Sequence, residues 1–487
     1  MKSLLNNLTM KKAKYIWAIA LISISLQAQH DYNKQYYPPT DPLVVQKLDE
    51  WQDLKFGLLM HWGPYSQWGI VESWSICSED EGWCKRPEED YTAYKKKYEG
   101  LQTTFNPKDF DPAKWAKAAA GAGMKYVVFT TKHHDGFCMF DTRYTDYRIT
   151  DPKTPFSKNP KANVTKEIFN AFRGQGMWAG AYFSKPDWHS PFYWWPNFAT
   201  PDRNVNYDVT RYPERWENFV QYTQNQIMEL MSDYGKIDIL WLDGGWVEKM
   251  SPGQVKSYIN SPDYKFMHVQ NQDIRMDEIA SKARKLQPGL IVVDRAVEGP
   301  NQNYLTPENQ VPKEMLAYPW ESCIIMGGGW SYAFDAKYKS SRELVHMLID
   351  IVAKGGNLLL NIAPSPKGTW DDAAYQRLSD IGKWMDVNNE AIYGTRKVAP
   401  YYQGPVYYTR KKDGSAHYIL YCLQEGQKLP DEFKVTGMRA GEKPTIEVLG
   451  YRGKVSYTSS DQDITIKVPK SIQKESQLPY AIVFKIK

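Results

Sequence analysis

Cysteine is scarce: five residues in a chain of 487, with no CxxC pair and no Cys/His spacing that would cage a structural zinc. A scaffold held together by disulfides or zinc is therefore not expected, and the odd count leaves at least one thiol unpaired. Cys77 and Cys84, in an acidic Trp-containing segment, are near enough in sequence to pair. Charge of one sign is lacking as well. Against 56 acidic residues stand 61 Lys and Arg, a net charge of +5. The basic residues are scattered rather than gathered into a stripe, so nucleic acid is not an expected partner. Beyond the first thirty residues no apolar run approaches the ~20 residues of a membrane span. No Gly-rich dinucleotide loop follows the first strand-like segment, and neither an internal repeat nor a low-complexity tract is present.

The N-terminus carries a clear pattern. Lys11, Lys12 and Lys14 precede the apolar run of residues 16–26, which ends at Gln27-Ala28-Gln29. A basic start, a short apolar stretch and a small residue near the cut describe a signal peptide over residues 1–28, whether the chain starts at Met1 or Met10. The mature protein is expected outside the cytoplasm, periplasmic or secreted. The length suits one large domain and a smaller one. Aromatics are abundant, with 18 Trp and 34 Tyr; flat rings with a polar edge suit the faces of sugars, although large cores consume them too.

Six segments, 56–61, 126–136, 177–184, 237–243, 290–295 and 356–364, are apolar runs that stop abruptly at polar, aromatic or Gly residues. Continuous apolar strands imply a sheet covered on both faces. Helical stretches at 112–122, 166–172, 215–231 and 341–353 lie between them, so the pattern predicts a parallel sheet and, over this length, a (β/α)8-type barrel at residues 31–395. From about residue 396 short alternating runs at 406–409, 416–421, 445–449 and 464–468 predict a C-terminal β-sandwich to residue 487.

Chemistry in a barrel gathers where strands end. The residues closing the runs are His61-Trp62, His133-His134, Tyr182, Asp243 and Asp294-Arg295. Asp243 stands out, because it ends an apolar strand, precedes two glycines that leave backbone room for a ligand, and is flanked by Trp241 and Trp246. Taken alone, such an Asp is also a common helix cap. A carboxylate among sugar-stacking rings suggests glycosidic cleavage, in which one acid attacks the anomeric carbon and another protonates the leaving oxygen. The His133-His134 pair invites a metal reading, but adjacent residues of a strand point to opposite faces, so no metal is expected. Past a strand end, both imidazoles, with His61, are suited to bonding ligand hydroxyls.

Phe56 to Gly63, Phe105-Asn-Pro with Trp115, Thr131-Lys-His-His-Asp-Gly-Phe137, Leu240-Trp-Leu-Asp-Gly-Gly245, Trp320-Glu321-Ser-Cys and Gly355-Gly-Asn-Leu-Leu-Leu-Asn361 together resemble the α-L-fucosidases of glycoside hydrolase family 29. The motifs run in order across about residues 35–395. The resemblance implies a retaining exo-glycosidase that releases terminal α-L-fucose from fucosylated oligosaccharides through a covalent intermediate, without cofactor or metal. By the same match Asp243 is the nucleophile, and His61, His133, His134, Tyr182, Trp241 and Arg295 are sugar ligands, with Arg295 near the reacting centre. The match further implies that Trp74 stacks on the pyranose ring or its C5 substituent.

The chain departs from that pattern twice. Relatives carry Glu-Trp where this chain has Glu72-Ser73-Trp74, and the position of the general acid falls at Gln302, which has no titratable proton. Glu298 is the preferred substitute, with Glu308 and Glu321 as alternatives. Two other functions stay open: an α-L-galactosidase on the same scaffold, acting on L-galactosylated oligosaccharides, because a pocket rejects an added hydroxyl only modestly, and a sugar-binding protein whose proton transfer is impaired.

Overall fold

The structure is a computed structural model and describes residues 35–77, 86, 90–261, 268–437, 444–460, 463–473 and 479–487. The expected signal peptide, and Cys84 as a partner for Cys77, lie outside the described residues. Cys138, Cys323 and Cys422 are buried free thiols.

Seven strands form one sheet: β1 Phe56–Met60, β2 Tyr126–Lys132, β3 Trp178–Ser184, β4 Ile239–Asp243, β5 Ile291–Asp294, β6 Glu321–Ile325 and β7 Asn357–Asn361. Their order is β5-β4-β3-β2-β1-β7-β6, and every pairing is parallel. The gap between β5 and β6 is filled by an irregular segment. There Val293 bridges Gln302 in antiparallel sense, while Leu305 bridges Trp320 and Glu308 bridges Cys323 in parallel sense. Six strands follow the apolar runs of the sequence. β6, with Glu, Ser and Cys among five residues, carries no such run.

The helices before the C-terminal sheets are α1 Pro42–Leu54, α2 Tyr91–Gly100, α3 Pro112–Gly121, α4 Val164–Arg173, α5 Pro213–Asp233, α6 Pro252–Ile259, α7 Met276–Leu286, α8 Ser341–Ala353 and α9 Asp372–Asn388. Their starts follow local chemistry. Asp111 caps α3, accepting from the Ala113 and Lys114 amides ahead of a first-turn Pro, and Ser340 and Glu343 make a capping box on α8. Leu59, Tyr126, Val128, Tyr182, Ile239, Trp241, Ile291, Val293, Tyr304 and Leu359 pack together with Trp51 of α1 in one core cluster, and a larger cluster lies between sheet and helices. No helix among the described residues is long and apolar enough to cross a membrane.

The C-terminal part holds two antiparallel sheets. One is ordered β12-β15-β10-β9-β8 and the other β11-β14-β13, from β8 Thr395–Gln403, β9 Val406–Lys411, β10 His417–Cys422, β11 Glu432–Thr436, β12 Ile446–Val448, β13 Ser456–Ser459, β14 Asp463–Lys467 and β15 Ala481–Ile486. Alternation of buried and exposed residues, as in β14, marks strands with one face on a core. Tyr418, Leu420 and Val483 of this part belong to the same buried cluster as the barrel helices.

Candidate active site

Parallel register brings the strand-end residues to one level. Ser184 pairs with Asp243 and Leu242 with Asp294, so Asp243 leaves the sheet beside Tyr182 on one side and Arg295 on the other. Its side chain is 15% exposed, enough to meet a ligand from above. Asp243 Oδ1 accepts from Arg295 Nη1 at 2.9 Å and from the Gly244 amide at 2.8 Å, and Oδ2 accepts from the Tyr182 hydroxyl at 2.6 Å. Burial alone would raise this carboxyl. The Arg295 charge and the hydrogen bond from Tyr182 outweigh it and hold Asp243 well below the usual carboxylate range.

β2 ends at Lys132, so His133 and His134 follow the regular strand and are freed from its alternation. Their ring centroids are 4.2 Å apart, and His134 Nε2 is 3.9 Å from Asp243 Oδ2. His61 lies 5.7 Å from His133 and 5.2 Å from Tyr182, centroid to centroid. Burial pushes His61 and His134 down to about 4 and His133 well below its usual value, so all three are neutral imidazoles near pH 7. His133, His134 and Asp243 each bring one ligand atom within 4.8 Å of the others. The donor set nevertheless suits a hydrogen-bonded nucleophile better than a cation. Arg295 and Tyr182 already occupy the carboxylate, and a guanidinium beside it opposes a second positive charge.

The rings expected around the sugar are divided between wall and floor. Trp74 is half-buried and stands edge-on to His134 at 5.2 Å, to Trp188 at 5.3 Å and, tilted, near Trp246 at 5.8 Å. The Arg203 guanidinium lies about 5 Å from both Trp74 and Trp246. Trp241 is buried beneath, stacked on Tyr182 at 5.1 Å and under the Arg295 guanidinium.

The candidate acids separate sharply. Glu321 opens β6, at the end of the barrel opposite Asp243, and is fully buried, accepting from Tyr126 at 2.6 Å and Trp241 at 3.3 Å. Burial lifts it to about 7, and its hydrogen bonds run into the barrel interior rather than to Asp243 or Arg295. Glu298, the preferred acid in the sequence, is exposed and bonded by the Tyr37 hydroxyl at 3.3 Å. It lines an open cavity of about 1080 Å³ with Tyr258 and Arg275, and among the described residues no hydrogen bond ties it to Asp243 or Arg295. Gln302, where the resemblance places the general acid, is 5% exposed and bridges Val293 in the barrel wall. Glu308 is the carboxylate brought to the nucleophile. Arg295 Nη2 donates to its Oε2 while Nη1 serves Asp243, and Trp330 Nε1 donates to its Oε1 at 3.2 Å.

Sequence reasoning singled out none of Glu72, Ser73, Trp188, Arg203 and Trp330 as site residues. Glu72 is 1% exposed and its Oε1 has no partner; burial, with the charges of Glu308 and Asp243 adding to it, lifts its carboxyl to about 8. Backbone hydrogen bonds from Glu72 itself and from Ser331 reach this carboxyl, so the unpartnered Oε1 is the atom suited to a ligand hydroxyl. The signal was its neighbour Trp74.

The α-L-fucosidase family profile matches residues 23–390. The chain is similar to an α-L-fucosidase of Dictyostelium discoideum, 24% identical over 93% of this chain and 95% of that one. It is also similar to the plasma α-L-fucosidase of Rattus norvegicus, 27% identical over 89% and 90%. Among solved structures, α-L-fucosidase isoenzyme 1 from Paenibacillus thiaminolyticus superposes with a TM-score of 0.71 at 27% identity, covering 91% of this chain and 99% of that one. The Thermotoga maritima α-fucosidase in complex with a mechanism-based inhibitor gives 0.69 at 25% identity, over 93% and 100%. With the family profile spanning most of its length and these relatives aligned nearly end to end, the chain belongs to the α-L-fucosidase family.

Proposed function

We infer that this chain is a retaining exo-α-L-fucosidase acting on fucosylated glycans, with Asp243 as nucleophile and Glu308 as acid/base. The observation that carries the pairing is the single Arg295 guanidinium that bonds both carboxylates. Retaining glycosidases hold their two carboxyls roughly 5–5.5 Å apart, and two carboxylates bonded to one guanidinium are suited to such a spacing. In the first step an Asp243 oxygen bonds to C1 of the sugar as the C1–O bond breaks, and the departing oxygen takes a proton from Glu308. In the second, Glu308 takes a proton from water, whose oxygen displaces Asp243 from C1. Tyr182 and Arg295 hold the attacking carboxylate in place, and the neutral imidazoles with Glu72 and Trp74 are suited to the sugar's hydroxyls and ring face. The mechanism-based inhibitor held by the Thermotoga relative is consistent with a covalent route. Family membership favours L-fucose over L-galactose, and the Asp243–Glu308 pair argues against a site that only binds.

Leaving-group dependence tests the acid. E308A is expected to lose about 10²–10⁴-fold in turnover of a fucosyl disaccharide, and much less on an aryl fucoside whose phenolate departs unaided. Azide should rescue E308A to the α-fucosyl azide, because it enters from the face the aglycone has left. If E298A shows that pattern and E308A does not, the assignment is wrong. Export follows from the basic and apolar start of the sequence, and N-terminal sequencing of secreted or periplasmic protein checks it by finding the start just beyond residue 28.

A further inference from the structure

Two residues in a row, Ser73 and Trp74, approach the histidines at the site, and the first of them touches a ring nitrogen. Ser73 Oγ lies 2.5 Å from His133 Nδ1 and accepts the Asp135 amide at 2.9 Å. A hydroxyl has one hydrogen to give, and among the described residues His133 Nδ1 is the one acceptor within its reach. With Ser73 donating, Nδ1 is the acceptor and the proton of the neutral ring sits on Nε2.

His61 is set the opposite way. Asn361 Nδ2 donates to the Trp330 carbonyl at 2.8 Å, which turns Asn361 Oδ1 toward His61 Nδ1 at 2.9 Å. An amide oxygen only accepts, so Nδ1 of His61 carries the proton and Nε2 keeps its lone pair. We propose that Ser73 is a positioning residue that holds His133 as an Nε2–H donor while Asn361 holds His61 as an Nε2 acceptor, giving the sugar one imidazole of each polarity. The proposal rests on the fucosidase reading for its ligand, but not for its geometry. Burial keeps both rings neutral, so each has one N–H to assign. Ser73 itself is fully buried, and its brace extends outward, since the Tyr98 hydroxyl holds the Asp135 carboxylate at 2.8 Å.

Long-range 1H–15N correlations on 15N-His protein at pH 7, assigned by loss of signal in H61N and H133N, read the tautomers directly. An Nε2–H pattern for His133 and an Nδ1–H pattern for His61 are expected in the wild type. S73A should mix the His133 tautomers, leave His61 unchanged, and lower kcat/KM on an aryl fucoside by about tenfold, the scale of one lost hydrogen bond. S73T keeps the hydroxyl and should restore both readouts. An Nδ1–H His133 in the wild type, or an S73A enzyme with unaltered spectrum and kcat/KM, overturns the proposal. Should S73A not fold, the wild-type spectrum and S73T still decide it. A wild type inert toward fucosides would count against the fucosidase reading alone, because the tautomer readout needs no turnover.

Discussion

At the scale of the residue, the site turns on how burial acts on different groups. The same low-dielectric surroundings that keep His61, His133 and His134 neutral would also neutralise Asp243, were it not for Arg295 and Tyr182. Asp243 therefore stays ionised across the working range, and D243N is expected to cut turnover of any fucoside by more than about a thousandfold. Azide should restore a β-fucosyl azide by direct displacement. At Glu72 burial and the nearby Glu308 and Asp243 charges outweigh the backbone hydrogen bonds from Glu72 and Ser331 that favour the charged form, and the group sits at about 8 instead of 4.5. For a carboxyl raised in the folded state, the unfolded chain releases its proton first, so this group costs stability progressively as pH rises from about 4.5 to about 8. E72Q removes that cost. Its melting temperature relative to wild type should rise steadily between those pH values and then level off; a constant difference would mean that Glu72 ionises normally.

At the scale of the element, the turn after β2 shows why a motif is conveyed by its glycine as much as by its histidines. Gly136 has φ +80°, and a Cβ there would lie 2.2 Å from the Asp187 carboxylate. That carboxylate is held by Lys132 at 3.1 Å and Tyr222 at 3.0 Å, so it has little freedom to retreat. G136A is expected to lose about 1–3 kcal/mol of stability in denaturant unfolding and to raise KM, since His133 and His134 hang from the same turn. The strand ends were legible because a continuous apolar run marks a doubly covered strand and its last residue marks the rim. The acid was not. Glu308 reaches Arg295 only because residues 302–308 pair with β5 on one side and β6 on the other, and such long-range pairing has no local periodicity. Glu298 was preferred as a carboxylate four residues before Gln302, and the path of the loop leaves it exposed beside Tyr37.

At the scale of the whole molecule, the C-terminal sheets are part of the barrel's support. Trp384 of α9 donates to the Ala481 carbonyl at 3.0 Å, His346 of α8 contacts the Tyr480 carbonyl at 2.8 Å, and Tyr418, Leu420 and Val483 pack in the barrel's own apolar cluster. A chain ended at residue 395 would bare that face of α8 and α9 to water. It is expected to aggregate or to melt well below the full-length protein, as light scattering and calorimetry would show; an equally stable, soluble truncation would mean that the contact is dispensable.

By itself the sequence determined the architecture and pointed to Asp243 as one half of the proposed catalytic pair. Apolar periodicity is set by burial, residue by residue, and Asp243 is the last residue of such a run. The tertiary structure alone decided which second carboxylate faces Asp243, that Glu72 is a buried acid, and how Ser73 and Asn361 meet the histidines. Each depends on chain segments far apart in sequence, and their meeting is dictated by sheet order and loop path rather than by any local pattern.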